Sequence, residues 1–215
     1  IHMKNKIYIS LIGMVVLLLS CQNQNRVNRS EIEIKNGLLY VNNEKFSGIV
    51  FENYENEKIK SEWSVKDGIE NGTFTNYYEN GELNEKTNWV NGKRKGAYER
   101  YYENGQLEIK ASFVEDKKDG YFETFYKNGQ LWKSGYYDAD ALHGIIKTYF
   151  EDGQLKESIT WELNRKDGPF EQYYQNGQLK LTGYFSENKQ DGTFEYYEEN
   201  GDLKEKIDFD HGVRK

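Results

Sequence analysis

From residue 48 to residue 215, short apolar runs alternate with polar ones, and the alternation returns every 24 residues without insertion. Gly48, Gly72, Gly96, Gly120, Gly144, Gly168 and Gly192 lead seven units. With the leading glycine as position 0, position 2 is Val50, Phe74, Tyr98, Phe122, Ile146, Phe170 and Phe194. Positions 5 and 6 are paired aromatics in most units, as in Tyr101-Tyr102 and Phe125-Tyr126. Positions 8 and 9 are Asn-Gly, as in Asn128-Gly129, or Asp152-Gly153. Position 11 is Leu after the first unit, and position 17 is Val65, Trp89, Phe113, Tyr137, Trp161, Phe185 and Phe209. A fixed period of this length marks a repeat array in which each unit is one supersecondary element.

Two β-rich runs joined by Asn-Gly predict a hairpin, with a type I′ turn at positions 8 and 9. That turn sets position 7 opposite 10, 6 opposite 11, 4 opposite 13 and 2 opposite 15. Side chains alternate between the faces of a strand. The expected packing face collects positions 2, 6, 11 and 17; the other face carries 3, 5, 12 and 14. The fold class is all-β: an extended antiparallel meander of seven 24-residue hairpins and fourteen short strands. Positions 18–23 are polar, as in Asn91-Gly92-Lys93-Arg94-Lys95 and Asp116-Lys117-Lys118-Asp119, and are expected to be solvated connections. Asp119, Asp167 and Asp191, at position 23, are expected to cap turns rather than bind calcium.

The pattern Gly-x-Phe-x-x-Tyr-Tyr-x-Asn-Gly-Gln-Leu resembles the bacterial variant of the MORN repeat over residues 48–215. The resemblance implies stacked β-hairpins used as an interaction module. It also implies a narrower role, because many bacterial members carry the label of an antitoxin.

Ahead of the repeats, Lys4 and Lys6 precede an apolar run from Ile7 to Leu19. This reads as a secretory signal, too short to span a bilayer. Leu18-Leu19-Ser20-Cys21 resembles a bacterial lipobox, with Cys21 as the lipidated residue. Residues 1–21 are therefore read as a signal peptide, 22–30 as a flexible tether, 31–47 as a degenerate cap and 48–215 as the repeats. The expected location is the cell envelope, with the membrane held through the lipid on Cys21.

Charge narrows the partners. The formal net charge is −7, and loss of Lys4 and Lys6 with the signal makes the remainder more acidic. Nucleic acid and anionic lipid headgroups both reward a basic surface, so neither is an expected partner. The chain has one cysteine, so no internal disulfide supports the fold. The three histidines lie at His2, His143 and His211 without metal-ligand spacing, and neither a cofactor nor catalysis is expected. The expected binding residues are the aromatic stripe Tyr77, Tyr101, Phe125, Tyr149, Tyr173 and Tyr197 at position 5, with Trp132 at position 12 beside Phe125. The resulting function is a non-catalytic envelope lipoprotein that presents a surface to a protein or glycan, in the narrower version a toxin. The alternative is a structural envelope component that assembles by sheet-edge pairing.

Overall fold

The computed structural model describes residues 25–215. The signal segment and Cys21 lie outside the described residues. One sheet contains almost the whole array. From Gly48–Asn53 onward, the strands pair antiparallel in chain order as far as the short strand Val213–Arg214, with Lys117–Lys118 and Gly120–Phe125 both pairing with Leu107–Val114. This is the expected meander, two strands to a unit.

The two turns of each unit differ from the expected ones. Gly129 has φ +85°, but Asn128 keeps a negative φ. Tyr126 accepts from Gly129 N–H at 2.9 Å and donates its own N–H to the Gln130 carbonyl at 2.8 Å. This is a three-residue loop ending in a left-handed glycine, not a type I′ turn. Asn128 serves another purpose there: its Oδ1 accepts from Gln130 N–H at 2.9 Å. The two-residue turns with positive φ at both positions lie instead at positions 19 and 20. Asn91-Gly92 forms one (+51°, +78°), and Leu163-Asn164 forms another (+47°, +67°). The flanking residues of the supposed connection belong to strands, such as Lys93–Tyr101.

The longer loop changes the register near it. Phe122 faces Gly135 and Thr124 faces Lys133 as expected, but a bulge at Trp132 then sets Phe125, not Tyr126, opposite Leu131. Trp132 is the extra residue of the bulge and sits with Lys133 on the face of Thr124. Position 11 therefore shares the outer face with position 5, and position 12 moves to the inner face. Both are reversals of the expected assignment.

The sheet buries its inner face by folding each unit over the last. Position 2 of one unit lies against position 15 of the unit before. A Cβ on Gly135 would fall 2.1 Å from Ile146 Cδ1, and one on Gly183 would fall 2.6 Å from two carbons of the Phe194 ring. Glycine is needed at both for close approach, not for backbone conformation. Phe194 is 0% exposed and Ile146 1% exposed as a result. The main core joins Ala111, Phe122, Ile146, Ile159, Phe170 and Phe194. Its rings meet edge to face, as Phe185 does with Phe194 at 5.6 Å.

Two hydrogen-bond ladders tie unit to unit. On the Asn-Gly rim, the position-6 tyrosines donate to the position-5 carbonyl of the next unit: Tyr78 to Tyr101 at 2.7 Å, Tyr102 to Phe125 at 2.7 Å, Tyr126 to Tyr149 at 2.7 Å. Asn104 Nδ2 likewise reaches the Lys127 carbonyl at 3.1 Å. On the opposite rim, Asp116 Oδ1 accepts from Arg94 N–H at 2.9 Å and Asp140 Oδ1 from Lys118 N–H at 2.8 Å.

The N-terminal end is closed by other means. Arg26–Asn28, inside the stretch expected to be a flexible tether, forms a strand (β1) parallel to Gly48–Asn53. A single 3-10 turn follows, with Asn28 and Glu31 forming a capping box. Three strands, Glu33–Lys35, Leu38–Val41 and Glu44–Lys45, make a separate small sheet. It delivers Ile32 and Phe46 onto Val50 and Val65.

Candidate functional site

On the inner face, the third and fourth units frame a cleft of about 330 Å³. Its floor is apolar: Tyr98 meets Phe113 edge to face at 5.4 Å, and Phe122 packs on Tyr137 at 4.6 Å. Ala111, small and buried, leaves room above the floor. Four cations stand around it: Arg94, Arg100, Lys118 and Lys133. Alternation puts them there. Arg100 and Lys133 are at positions 4 and 13 of the inner face, and Arg94 and Lys118 at position 22.

The two arginines are already engaged. Arg100 grips Glu108 through both forks, at 2.7 and 2.9 Å. Arg94 lies 3.4 Å from Asp116 and stacks 4.1 Å over the Phe113 ring. The two lysines are not. Lys118 Nζ sits 5.2 Å from the Tyr137 ring centre. Neither it nor Lys133 has a carboxylate within 4.0 Å among the described residues. Burial holds the Lys133 ammonium below its ordinary pKa, partly offset by the more distant Glu157. Trp132 forms the rim. It is 47% exposed, with its ring 6.1 Å from Tyr126.

Of the residues expected to bind, only Trp132 belongs to this cleft. Tyr77, Tyr101, Phe125, Tyr149, Tyr173 and Tyr197 line the outer face half-buried, not as an exposed stripe. Three are tied to position-3 carboxylates: Tyr101 to Glu99 at 2.9 Å, Tyr173 to Glu171 at 2.8 Å and Tyr197 to Glu195 at 2.6 Å. Burial and Glu171 push the Tyr173 phenol up to about 12. The exposed apolar side chains of the outer face lie at positions 1 and 16 instead, among them Tyr121, Tyr136, Ile145 and Tyr184.

The cleft was missed because Arg94 and Lys118 fall in stretches that look like solvated connections. The available signal was phase: in four of the seven units, a cation two residues past the short turn (Arg94, Lys118, Lys166, Arg214) sits opposite the position-17 aromatic, as Lys118 sits opposite Phe113. Asp119 and Asp191 do cap turns, accepting from Ala139 N–H at 3.4 Å and His211 N–H at 3.3 Å. Asp191, on the strand Lys189–Tyr197, also converges with the exposed Asp210 and His211, the ligand atoms lying within 4.8 Å of one another.

The family model described as "MORN repeat variant" matches residues 70–91, 94–115, 118–139, 142–162, 166–187 and 190–211, more than half of the chain. The chain belongs to this family. The six matches coincide with the hairpins from the second unit on; the first MORN-like unit, where Asn56-Glu57 replaces Asn-Gly, keeps the hairpin without a match. No curated protein matches the chain. MORN repeats are typically modules that bind proteins or membranes.

Proposed function

We propose that this MORN-repeat protein is a non-catalytic binding module that holds its partner in the inner groove, centred on the cleft of the third and fourth units. The observation that carries this reading is the pair Lys118 and Lys133. Two ammonium groups without counter-ions stand over an aromatic floor in a chain of net charge −7. Lys118 is exposed, but Lys133 is half-buried, and its uncompensated charge is unfavourable for folding and becomes useful when a ligand supplies the opposite charge. The partner is a protein or a glycan of the cell envelope. Antitoxin-like capture of a toxin is its narrower form. Display follows from lipidation of Cys21, which places the array outside the cytoplasm.

Affinity capture from envelope extracts tests this, with the wild-type chain beside a Lys118→Glu/Lys133→Glu variant. Partners retained by the wild type and lost from the variant support the reading. Equal retention by both overturns the placement in the groove. For the anchor, Cys21→Ala should abolish lipid labelling and free the protein from membranes; persistent labelling sinks it. The structural alternative draws on the short terminal strand Val213–Arg214, whose Val213 is 68% exposed. It requires concentration-dependent filaments.

A further inference from the structure

The cleft also says what kind of ligand suits it. We infer that it binds a carboxylated sugar, a uronic-acid residue of an acidic saccharide; this rests on the groove being the binding surface.

The first constraint is charge type. Phosphate is best held by free guanidinium forks, which match its oxygens in pairs. Both guanidinium groups here are committed, Arg100 to Glu108 and Arg94 to Asp116. What remains is two single-point ammonium charges, Lys118 and Lys133. The half-buried one gains most from a single negative charge that is cheap to desolvate. A carboxylate meets that demand better than a dianion, whose dehydration is harder to offset.

The second constraint is shape. Trp132 is lifted out of the regular strand by its bulge and presents an indole at the cleft mouth. No other unit has an aromatic residue at position 12: the series is Lys60, Asn84, Glu108, Trp132, Lys156, Lys180 and Lys204. In two other units that position instead sets a lysine over the position-6 ring, Lys156 over Phe150 at 5.5 Å and Lys180 over Tyr174 at 5.5 Å. The fourth unit carries a flat amphipathic ring in a cleft whose walls also hold Lys118 and Lys133, neither with a carboxylate partner among the described residues. A pyranose offers the matching surface, one face of C–H bonds and a rim of hydroxyls. Its C–H face stacks on the indole, while the carboxylate turns toward Lys133 and Lys118. An acidic peptide offers the charge without the flat face.

Binding of tetragalacturonic acid to the full chain, followed by tryptophan fluorescence and calorimetry, tests the inference. Its methyl ester, hexaglutamate and inorganic phosphate serve as comparators. Saturable binding of the tetrasaccharide is expected, with the ester and hexaglutamate each weaker by about tenfold or more. Lys133→Met and Trp132→Ser should each weaken binding by about tenfold, and Lys156→Met should leave it within about twofold. Circular dichroism of each variant confirms that it is folded. The inference is overturned by absence of saturable binding, by equal binding of the ester or hexaglutamate, by displacement with phosphate, or by folded cleft variants that bind like the wild type. Groove-dependent capture of a protein without saccharide binding overturns this inference alone and leaves the binding-module reading intact.

Discussion

The first unit of the array and the last one described are built on the same plan and covered differently. At the N-terminal end, the unit has lost much of the repeat pattern, yet it is the better buried. Val50 is 0% exposed because Phe46 and Ile32 arrive from the small sheet to cover it. Backbone bonds seal the joint: Leu39 N–H to Gly68 O at 2.9 Å, Gly68 N–H to Phe46 O at 2.8 Å. At the C-terminal end, the unit keeps its Asn-Gly and Leu but exposes them. Leu203 is half exposed, and Glu198 stands where other units place Tyr or Phe. Asn200 turns its amide to Asp202 at 2.8 Å rather than to a neighbouring carbonyl. Charge takes over there: Lys206 pairs with Glu195, and Lys204 with Glu198 at 3.2 Å. The first unit is covered by added apolar mass, and the last described unit carries solvated charge in its place.

The largest expected contrast comes from truncating a ring at each end. Phe46→Ala should cost about 3–5 kcal/mol, since it opens a cavity over Val50. Phe209→Ala, at a site only partly buried against the core, should cost about 1–2 kcal/mol by the same reasoning. Urea unfolding measures both, and equal costs would erase the distinction.

Next in size is Thr87→Val. Thr87 is 2% exposed, and its hydroxyl has no hydrogen-bond partner among the described residues. Replacing a buried unsatisfied hydroxyl with a methyl should stabilise the capped half by about 1 kcal/mol. No gain in melting temperature would mean that the hydroxyl is satisfied.

A smaller effect locates the boundary between the halves. Phe150 lacks the hydroxyl that carries the tyrosine ladder, and Asp152 replaces the ladder asparagine, accepting instead from Gln175 at 2.8 Å. The last two units should therefore open together in hydrogen exchange, ahead of the first five. Phe150→Tyr should restore a rung to the Tyr173 carbonyl, add about 0.5–1 kcal/mol and slow that opening. Uniform exchange across the joint would contradict the boundary.

The smallest effect is a matter of sign. Burial raises the carboxyls of Glu70 and Glu85 above their ordinary values. The native state binds those protons more readily than the unfolded chain, so their region gains stability as pH falls through the raised values. Glu195 and Asp210 are lowered, chiefly by hydrogen bonds from Lys206 and His211. Their contribution is complete above the unfolded values and is lost as pH falls through the lowered ones. Hydrogen exchange compared between neutral and mildly acid solution, corrected for intrinsic rates, should show protection shifting toward the N-terminal units. A shift the other way would exclude this origin.

These contrasts also show what could be read from residues alone. The period, the strand pairs and the position-2 core follow from alternation, and Phe122 opposite Gly135 is where alternation puts it. The turn was misread because Asn-Gly serves both loop types. Asn91-Gly92 makes the two-residue turn, while Asn128-Gly129 closes a three-residue loop in which only Gly129 is left-handed. Loop length, not the dipeptide, decides, and it depends on pairing farther along the strands. The single bulge that follows carried Trp132 to the other face, and with it the center of the candidate site. Local misreading of one turn thus left the fold intact and displaced the functional surface, as a one-residue shift does in any sheet.

The two rims give the array a counting rule. Tyr126 reaches a carbonyl 23 residues ahead, and Lys118 N–H reaches a side chain 22 ahead. Both bonds cross only one joint, and neither depends on how many units lie beyond. Gain or loss of a whole copy, 24 residues at a time, would leave the surviving rungs with partners of the same kind. A single extra residue would misalign both rims at once and reverse the faces beyond it. Such a molecule can change its reach by duplication while its cross-section stays constant, like a measuring tape extended by identical divisions.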